Sequence, residues 1–403
     1  MIAPLLSRFS AIPYFSLILG VGCFGILTAL SWRAAPLFKT AERLLRRADE
    51  MPRASLAVVA AFSLAISAAL VATLGLPKPN VHDEFSYLLA ADTFAHGRLT
   101  NPTHPQWMYF ESEHIIHQPT YMSKYPPGQG LALALGQKLA GLPIIGAWLS
   151  VALGCSALAW MLMAWLPPRQ AILGGLLSAL HPMIIAWTYN YRGGGVAFAG
   201  GALLYGSVAR TLQRPKVSTS VLIGLGLAML ANSRPFEGLL ISIPPGILLL
   251  RYLAQRCVRK LGLPWATLIA PLLCVLSLTA AGMAYYNFRV TGNALRLPYV
   301  VHEQTYSMAP MFVWQKPREI EYRNKQLHDF HDWQLGYYRR QLGAAGFLRE
   351  SALKFRELVK AYFCPFLLFF PLLAALRSAW SDRETRLLAM AAALTAPAPW
   401  TPS

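Results

Sequence analysis

The residues best suited to chemistry lie between Pro77 and Gly141. His82, Asp83 and Glu84 stand side by side where this stretch leaves a long apolar run, and Lys124 precedes Tyr125-Pro126-Pro127-Gly128 near its far end. A carboxylate at the mouth of a membrane helix can take a proton from a sugar or lipid hydroxyl. A lysine held before a rigid Pro-Pro turn and a short helix can meet a phosphate at the bilayer surface. Each has a plainer reading. Asp83 can be the N-cap of a helix over 84–96, with Glu84 in its first turn. An interfacial lysine can simply snorkel towards water.

More charged groups stand at short polar breaks further along. Tyr189-Asn190-Tyr191-Arg192 precedes Gly193-Gly194-Gly195, whose glycines suit close backbone approach to a ligand or close packing of helices. Asn232-Ser233-Arg234-Pro235-Phe236-Glu237 holds a cation and an anion three residues apart. That spacing makes either a structural lock in a partly buried site or a phosphate-facing Arg234 steadied by Glu237. Arg296-Leu297-Pro298-Tyr299 and His302-Glu303 open a second polar stretch. The candidate set is therefore Asp83 and Glu84 for catalysis and Lys124, Arg192 and Arg234 for phosphate. Tyr125, Tyr189, Glu237, His302 and Glu303 support them. His114 and His117 are three residues apart beside Glu111 and Glu113, but no HExxH or cysteine set joins them. They read as exposed loop histidines, and neither a metal nor a cofactor is called for. A Walker loop, a dinucleotide fingerprint and GxSxG are all absent from the sequence.

The elements that must position these groups are membrane helices. Of 403 residues, 55% are hydrophobic and 13% charged, too apolar for an ordinary soluble domain. Ten apolar segments approach the length of a span: 14–32, 54–76, 143–166, 170–188, 193–209, 217–233, 235–250, 264–286, 357–376 and an incomplete one from 387. The fold class is all-α, a polytopic bundle of about ten spans. The net charge of +18 falls largely in short loops between apolar runs, which suits cytoplasmic retention and anionic lipid rather than nucleic acid. Five cysteines avoid the long polar loops, so a disulfide framework is not expected. The first run, followed by a basic cluster, reads as a signal anchor.

Alternation of basic loops puts 33–53 inside and the Asp83 loop outside, provided the short segment 128–141 is re-entrant or interfacial and does not cross. Most of the 18 acids, among them Asp83, Glu111, Glu237 and Glu303, then fall outside, as do the nine histidines, with His181 in the outer part of a span. Four regions result. Residues 1–53 form an N-terminal span and a basic cytoplasmic loop. Residues 54–290 are the transmembrane core with the outer loop 77–141, and 291–354 are an outer segment of interfacial helices. Residues 355–403 are C-terminal spans whose last apolar run is cut short.

Asp83-Glu84 after the first core span, Lys124-Tyr125-Pro126-Pro127 leading a short helix, and the order of later spans resemble the GT-C superfamily of membrane glycosyltransferases. The branch most alike holds protein O-mannosyltransferases, aminoarabinose transferases of lipid A and related bacterial enzymes. The likeness covers roughly 54–290, and more weakly to 354. It implies a polyprenyl-phosphate sugar donor and inverting transfer to an acceptor glycan, lipid or protein, on the outer face of an inner membrane. It also implies that Asp83, with Glu84 beside it, serves as base and that Lys124 meets the lipid phosphate. Two features depart from that pattern: Tyr189 to Arg192 stand where the family often has an acid, and the segment before residue 54 is extra. A secondary transporter, a lipid flippase or a polysaccharide polymerase of similar topology are the rival readings.

Overall fold

The computed structural model describes residues 49–362. They form thirteen helices: α1 (Pro52–Leu74), α2 (His82–Ala95), α3 (Pro127–Ala140), α4 (Pro143–Leu162), α5 (Pro168–Ala179), α6 (Pro182–Thr188), α7 (Gly195–Gln213), α8 (Val217–Ala231), α9 (Pro235–Val258), α10 (Ala270–Thr291), α11 (Pro298–Tyr306), α12 (Lys325–Arg340) and α13 (Gly343–Tyr362). Proline is the first residue of α1, α3, α4, α5, α6, α9 and α11. Its fixed φ suits the first helical turn and its missing N–H costs nothing there. One small hairpin joins them, β1 (Ile115–Ile116) antiparallel to β2 (Met122–Ser123), inside the loop between α2 and α3.

Among the described residues, four helices are long and apolar enough to cross a membrane: α1, α4, α9 and the unit Trp265–Thr291 that contains α10. A fifth results if α5 and α6, bent by 60°, count as one span. The protein is thus a mostly helical membrane protein, with fewer qualifying spans than the ten expected. Segments 14–32 and 387 onward, with most of 357–376, lie outside the described residues. Expected spans 193–209 and 217–233 are the helices α7 and α8; α8 has 15 residues, short for a span, and α7 carries Arg210 and many small residues.

Side-chain bonds fix the direction of each helix. Ser156 on α4 reaches the Leu56 carbonyl on α1 (3.1 Å), and Arg210 on α7 reaches the Trp160 carbonyl on α4 (2.6 Å). Thr211 bonds to Thr219 across the α7–α8 turn (3.0 Å), and Ser220 bonds to the Thr267 carbonyl (2.7 Å). The loops consequently gather at two ends. One end carries Asp49, whose carboxylate accepts from the Arg169 N–H (3.1 Å), together with Arg214, Lys216, Arg259 and Lys260. The other carries the α1–α4 connection, Tyr189 to Gly194, Asn232 to Arg234 and the described residues from Gly292 to Arg340. Helix α4 is the axis: 56% of its apolar window is buried, against 17% for α1, 17% for α9 and 6% for the α10 unit.

Helix α3, with 14 residues, is not among the helices long and apolar enough to cross a membrane. It starts where the Gly128 N–H meets the Asn232 carbonyl (2.7 Å), then folds back on α4 at the same end. Gly146 permits that approach, because a Cβ there would lie 1.8 Å from the Ala132 carbonyl oxygen. Such small-residue contact is what holds helices together where lipid is as apolar as leucine.

Candidate active site

The first turn of α2 sets the two adjacent acids to different tasks. The N-cap is Val81, so Asp83 lies inside the turn, and its plainer reading as the cap does not hold. Glu84 does the capping. One carboxylate oxygen accepts the N–H groups of Asn80 (2.8 Å) and Val81 (3.3 Å), and the other accepts that of Tyr191 (3.0 Å) from the α6–α7 turn. Three backbone donors hold Glu84 in place, satisfying orphan groups at a helix start. Glu84→Gln sets an NH2 group against those donors and should lower thermal stability by about 1–3 kcal/mol, read by unfolding in detergent.

Asp83, only 2% exposed, points the other way. Its Oδ1 accepts the Tyr125 hydroxyl and lies 3.6 Å from His114 Nε2. Tyr125 is braced by its ring, stacked on Tyr87 at 4.5 Å. The β-hairpin explains why Lys124 and Tyr125 meet α2: Ser86 bonds both to Ser123 Oγ and to the His114 carbonyl, each at 2.7 Å. Lys124 N–H bonds to the same carbonyl (3.1 Å).

Lys124 Nζ is buried and lies 3.1 Å from Glu303 Oε1, with the Tyr299 ring 4.9 Å away. Burial pulls the ammonium's pKa down, but Glu303, Tyr299 and Asp83 together raise it above the ordinary lysine value. Burial likewise pushes Glu303 up, and Lys124 and His302 outweigh it and hold the carboxyl below its usual range. His302 Nδ1 stands 3.4 Å from Glu303, while its Nε2 accepts the His114 N–H (3.1 Å). An accepting Nε2 places the proton on Nδ1, facing the carboxylate. Above α11, Arg318 donates to the Glu303, Gln304 (3.1 Å) and Ser307 (2.8 Å) carbonyls and ties down the following strap.

The remaining predicted residues are not all gathered here. Arg192 is exposed, one residue beyond the Glu84 contact. Arg234 and Glu237 pair at 3.8 Å but are 48% and 43% exposed, so the lock expected in a partly buried site is a surface pair worth under about 1 kcal/mol. Arg234 still belongs to the neighbourhood. Burial pushes the Tyr87 phenol up to about 12, while Arg234 draws it down and Asp83 and Glu237 add to the rise. Tyr189 bonds to the Gly75 carbonyl (2.9 Å) and fastens the end of α1. The glycine triple packs against protein: a Cβ on Gly193 would meet Gln129, and one on Gly194 the Trp187 ring, each under 2.5 Å away.

Sequence reasoning misplaced His114 and His117, which are 1% and 3% exposed and not loop-surface histidines. It also passed over His331 and Tyr87, and gave Tyr299 no role. No metal-sized group of ligands occurs among the described residues.

The buried histidines give a signed pH prediction. Burial, then the Lys124 charge, lowers His114 well below the ordinary value and His302 to about 4. Burial lowers His117 to about 4 and lowers His331 as well. Folded imidazoles therefore bind fewer protons than unfolded ones, so stability is full above 6.5 and falls as pH drops towards about 4. Each contributes a slope of up to about 1.4 kcal/mol per pH unit. Below that window Glu303 adds a loss of the same sign, because its depressed carboxyl must finally take a proton. Melting temperatures across this range should decline steadily, and His302→Gln should flatten the curve.

Comparison with known proteins brings no match: no family model fits the chain, and neither a curated protein nor a solved structure matches it.

Proposed function

We propose that the chain is a membrane glycosyltransferase that moves a sugar from a polyprenyl-phosphate donor to an acceptor hydroxyl, with inversion. The observation that carries the reading is Asp83: a carboxylate buried at the loop-rich end of the bundle, held by Tyr125 and facing His114, beside a fixed Lys124–Glu303 pair. The acceptor oxygen attacks the anomeric carbon and its proton passes to Asp83. The bond from that carbon to the phosphate oxygen breaks, and the lipid leaves as a monophosphate.

The cations divide the work. Lys124 is committed to Glu303 and acts as a fixed positive charge behind Asp83 that favours its ionised form. The exposed guanidinium groups of Arg234 and Arg192 suit the departing phosphate, which a planar fork can grip through two oxygens. The short turns at the opposite end carry Arg214, Lys216, Arg259 and Lys260, which by cytoplasmic retention of basic loops puts that end inside and this one outside. The transporter reading asks for ionisable groups or broken helices at mid-membrane. Among the described residues, no charged side chain stands in the middle of α1, α4–α8 or α10, and Arg251 of α9 stands about two turns from that helix's end, which favours surface chemistry over conduction.

The test is transfer itself. Purified full-length protein in detergent, given polyprenyl-phosphate bearing a radiolabelled sugar and a crude envelope extract as acceptor, should move label into a product that the lipid solvent no longer extracts. Label that stays on lipid across a panel of hexosyl and pentosyl donors counts against the reading.

A further inference from the structure

Among the described residues, His114 has a combination of features that packing alone does not call for. Its backbone is left-handed, with φ 63°, a conformation that an L residue adopts at a cost and keeps only when its surroundings over-determine it. Three elements do so. The His302 ring on α11 accepts its N–H, and Ser86 on α2 and the Lys124 N–H after β2 both donate to its carbonyl. Held this way, the imidazole is 1% exposed and neither ring nitrogen has a hydrogen-bond partner. Its Nε2 instead stands 3.6 Å from Asp83 Oδ1, just beyond bonding length. Strain held at a buried polar side chain aimed at a carboxylate marks a site of use, since an orphaned imidazole is otherwise a net loss.

We infer that His114 is a positioning residue for Asp83: a neutral imidazole whose Nε2–H closes on the Asp83 carboxylate when substrate is bound, and so aims it at the acceptor hydroxyl. This rests on the reading of Asp83 as the base. Catalytic hydrogen bonds are often long before substrate arrives and tighten in the complex. Tyr125 donates to the same oxygen, so one donor can stay on the carboxylate while the acceptor hydroxyl takes the place of the other. Burial and the Lys124 charge keep the ring neutral, as a donor to a base must be if it is not to trap that base in an ion pair. The groups that face this pair are His82 and Tyr87 from α2, Lys124 and Tyr125 after β2, Tyr299, His302 and Glu303 from α11, and Phe330 with His331 from α12. Of the histidines, His82 is exposed and pairs with Glu113 at 3.3 Å, so His82→Gln serves as the control for surface titration.

His114→Asn is the variant of choice, because asparagine tolerates the left-handed backbone while its shorter amide falls short of Asp83. Acid-induced infrared difference spectra of the full chain in detergent, with Asp83→Asn to identify the band, give the midpoint of Asp83 protonation without any assay of activity. The expected result is a midpoint about one pH unit higher in His114→Asn, because a donor to the ionised form is gone, with melting unchanged. In transfer, kcat should fall about tenfold with KM unaltered, and the acid limb of its pH profile should move up with the midpoint. An unmoved midpoint in folded His114→Asn overturns the inference. Should that variant not fold, nitrogen spectra of the labelled histidines in the unmodified chain decide: an Nε2–H tautomer perturbed by Asp83→Asn supports it, and an Nδ1–H tautomer overturns it. The base reading is judged apart, by whether Asp83→Asn loses transfer.

Discussion

Asp83→Asn should lower sugar transfer by about 10²–10⁴ while the chain still folds. The substitution keeps the side chain's size, and its oxygen can still accept the Tyr125 hydroxyl that Asp83 accepts now. It also leaves the start of α2 intact, since Glu84 supplies the acceptors for the Asn80 and Val81 N–H groups. What disappears is the charge and the ability to take a proton. Asp83→Ala makes the contrast: it removes no cap but leaves a partly buried phenol without its acceptor, a loss of about 1–3 kcal/mol. Should Asp83→Asn retain full transfer while Asp83→Ala merely melts earlier, the carboxylate is structural and the proposed chemistry is wrong.

The largest effect on stability is expected at Lys124. Lys124→Ala strands Glu303 in a buried site, with the neutral His302 ring 3.4 Å from its carboxylate in place of a cation, and breaking one side of a buried ion pair costs about 3–5 kcal/mol. The double variant Lys124→Met with Glu303→Gln removes both charges and should regain most of that loss. Thermal unfolding of the two side by side settles the point. This changes how a lysine variant reads. A fall in transfer by Lys124→Ala reports folding first, and phosphate binding only if melting holds. A Lys124→Ala protein with native stability and a raised donor KM would return the ammonium to direct contact with the phosphate.

The helical frame was legible because each apolar run between 54 and 290 announces itself locally, and Pro52, Pro143 and Pro235 mark where helices start. Helix α3 was legible for the same reason, as a short apolar run opened by Pro127. The site was legible only in part. Asp83, Lys124 and Tyr125 stand out as polar residues in an apolar neighbourhood. The partners that define their roles are remote: Lys124 and Glu303 are 179 residues apart, and His114 meets His302 across 188. No local spacing reports such pairs. The histidines were misread because a polar loop suggests exposure, whereas the α2–α3 loop folds into a hairpin and is roofed by α11 and α12. The Asp83 cap failed for a different reason. Helix α2 begins two residues earlier than the acid pair suggests, which moves Asp83 into the first turn and hands the cap to Glu84. One cue to His114 was present in the sequence, its place two residues before the β-branched Ile116 of a β-hairpin, but nothing there signals a left-handed backbone.

The most direct test of the central claim follows the donor's phosphate. Full-length protein in sealed vesicles, with polyprenyl-phosphate sugar carrying one label on the sugar and another on the phosphate, separates bond cleavage from transport. The account predicts one polyprenyl monophosphate released for each sugar transferred to acceptor, and none with Asp83→Asn. Intact donor appearing in the opposite leaflet with both labels still joined would contradict it, and would make the chain a carrier of the lipid instead of a transferase.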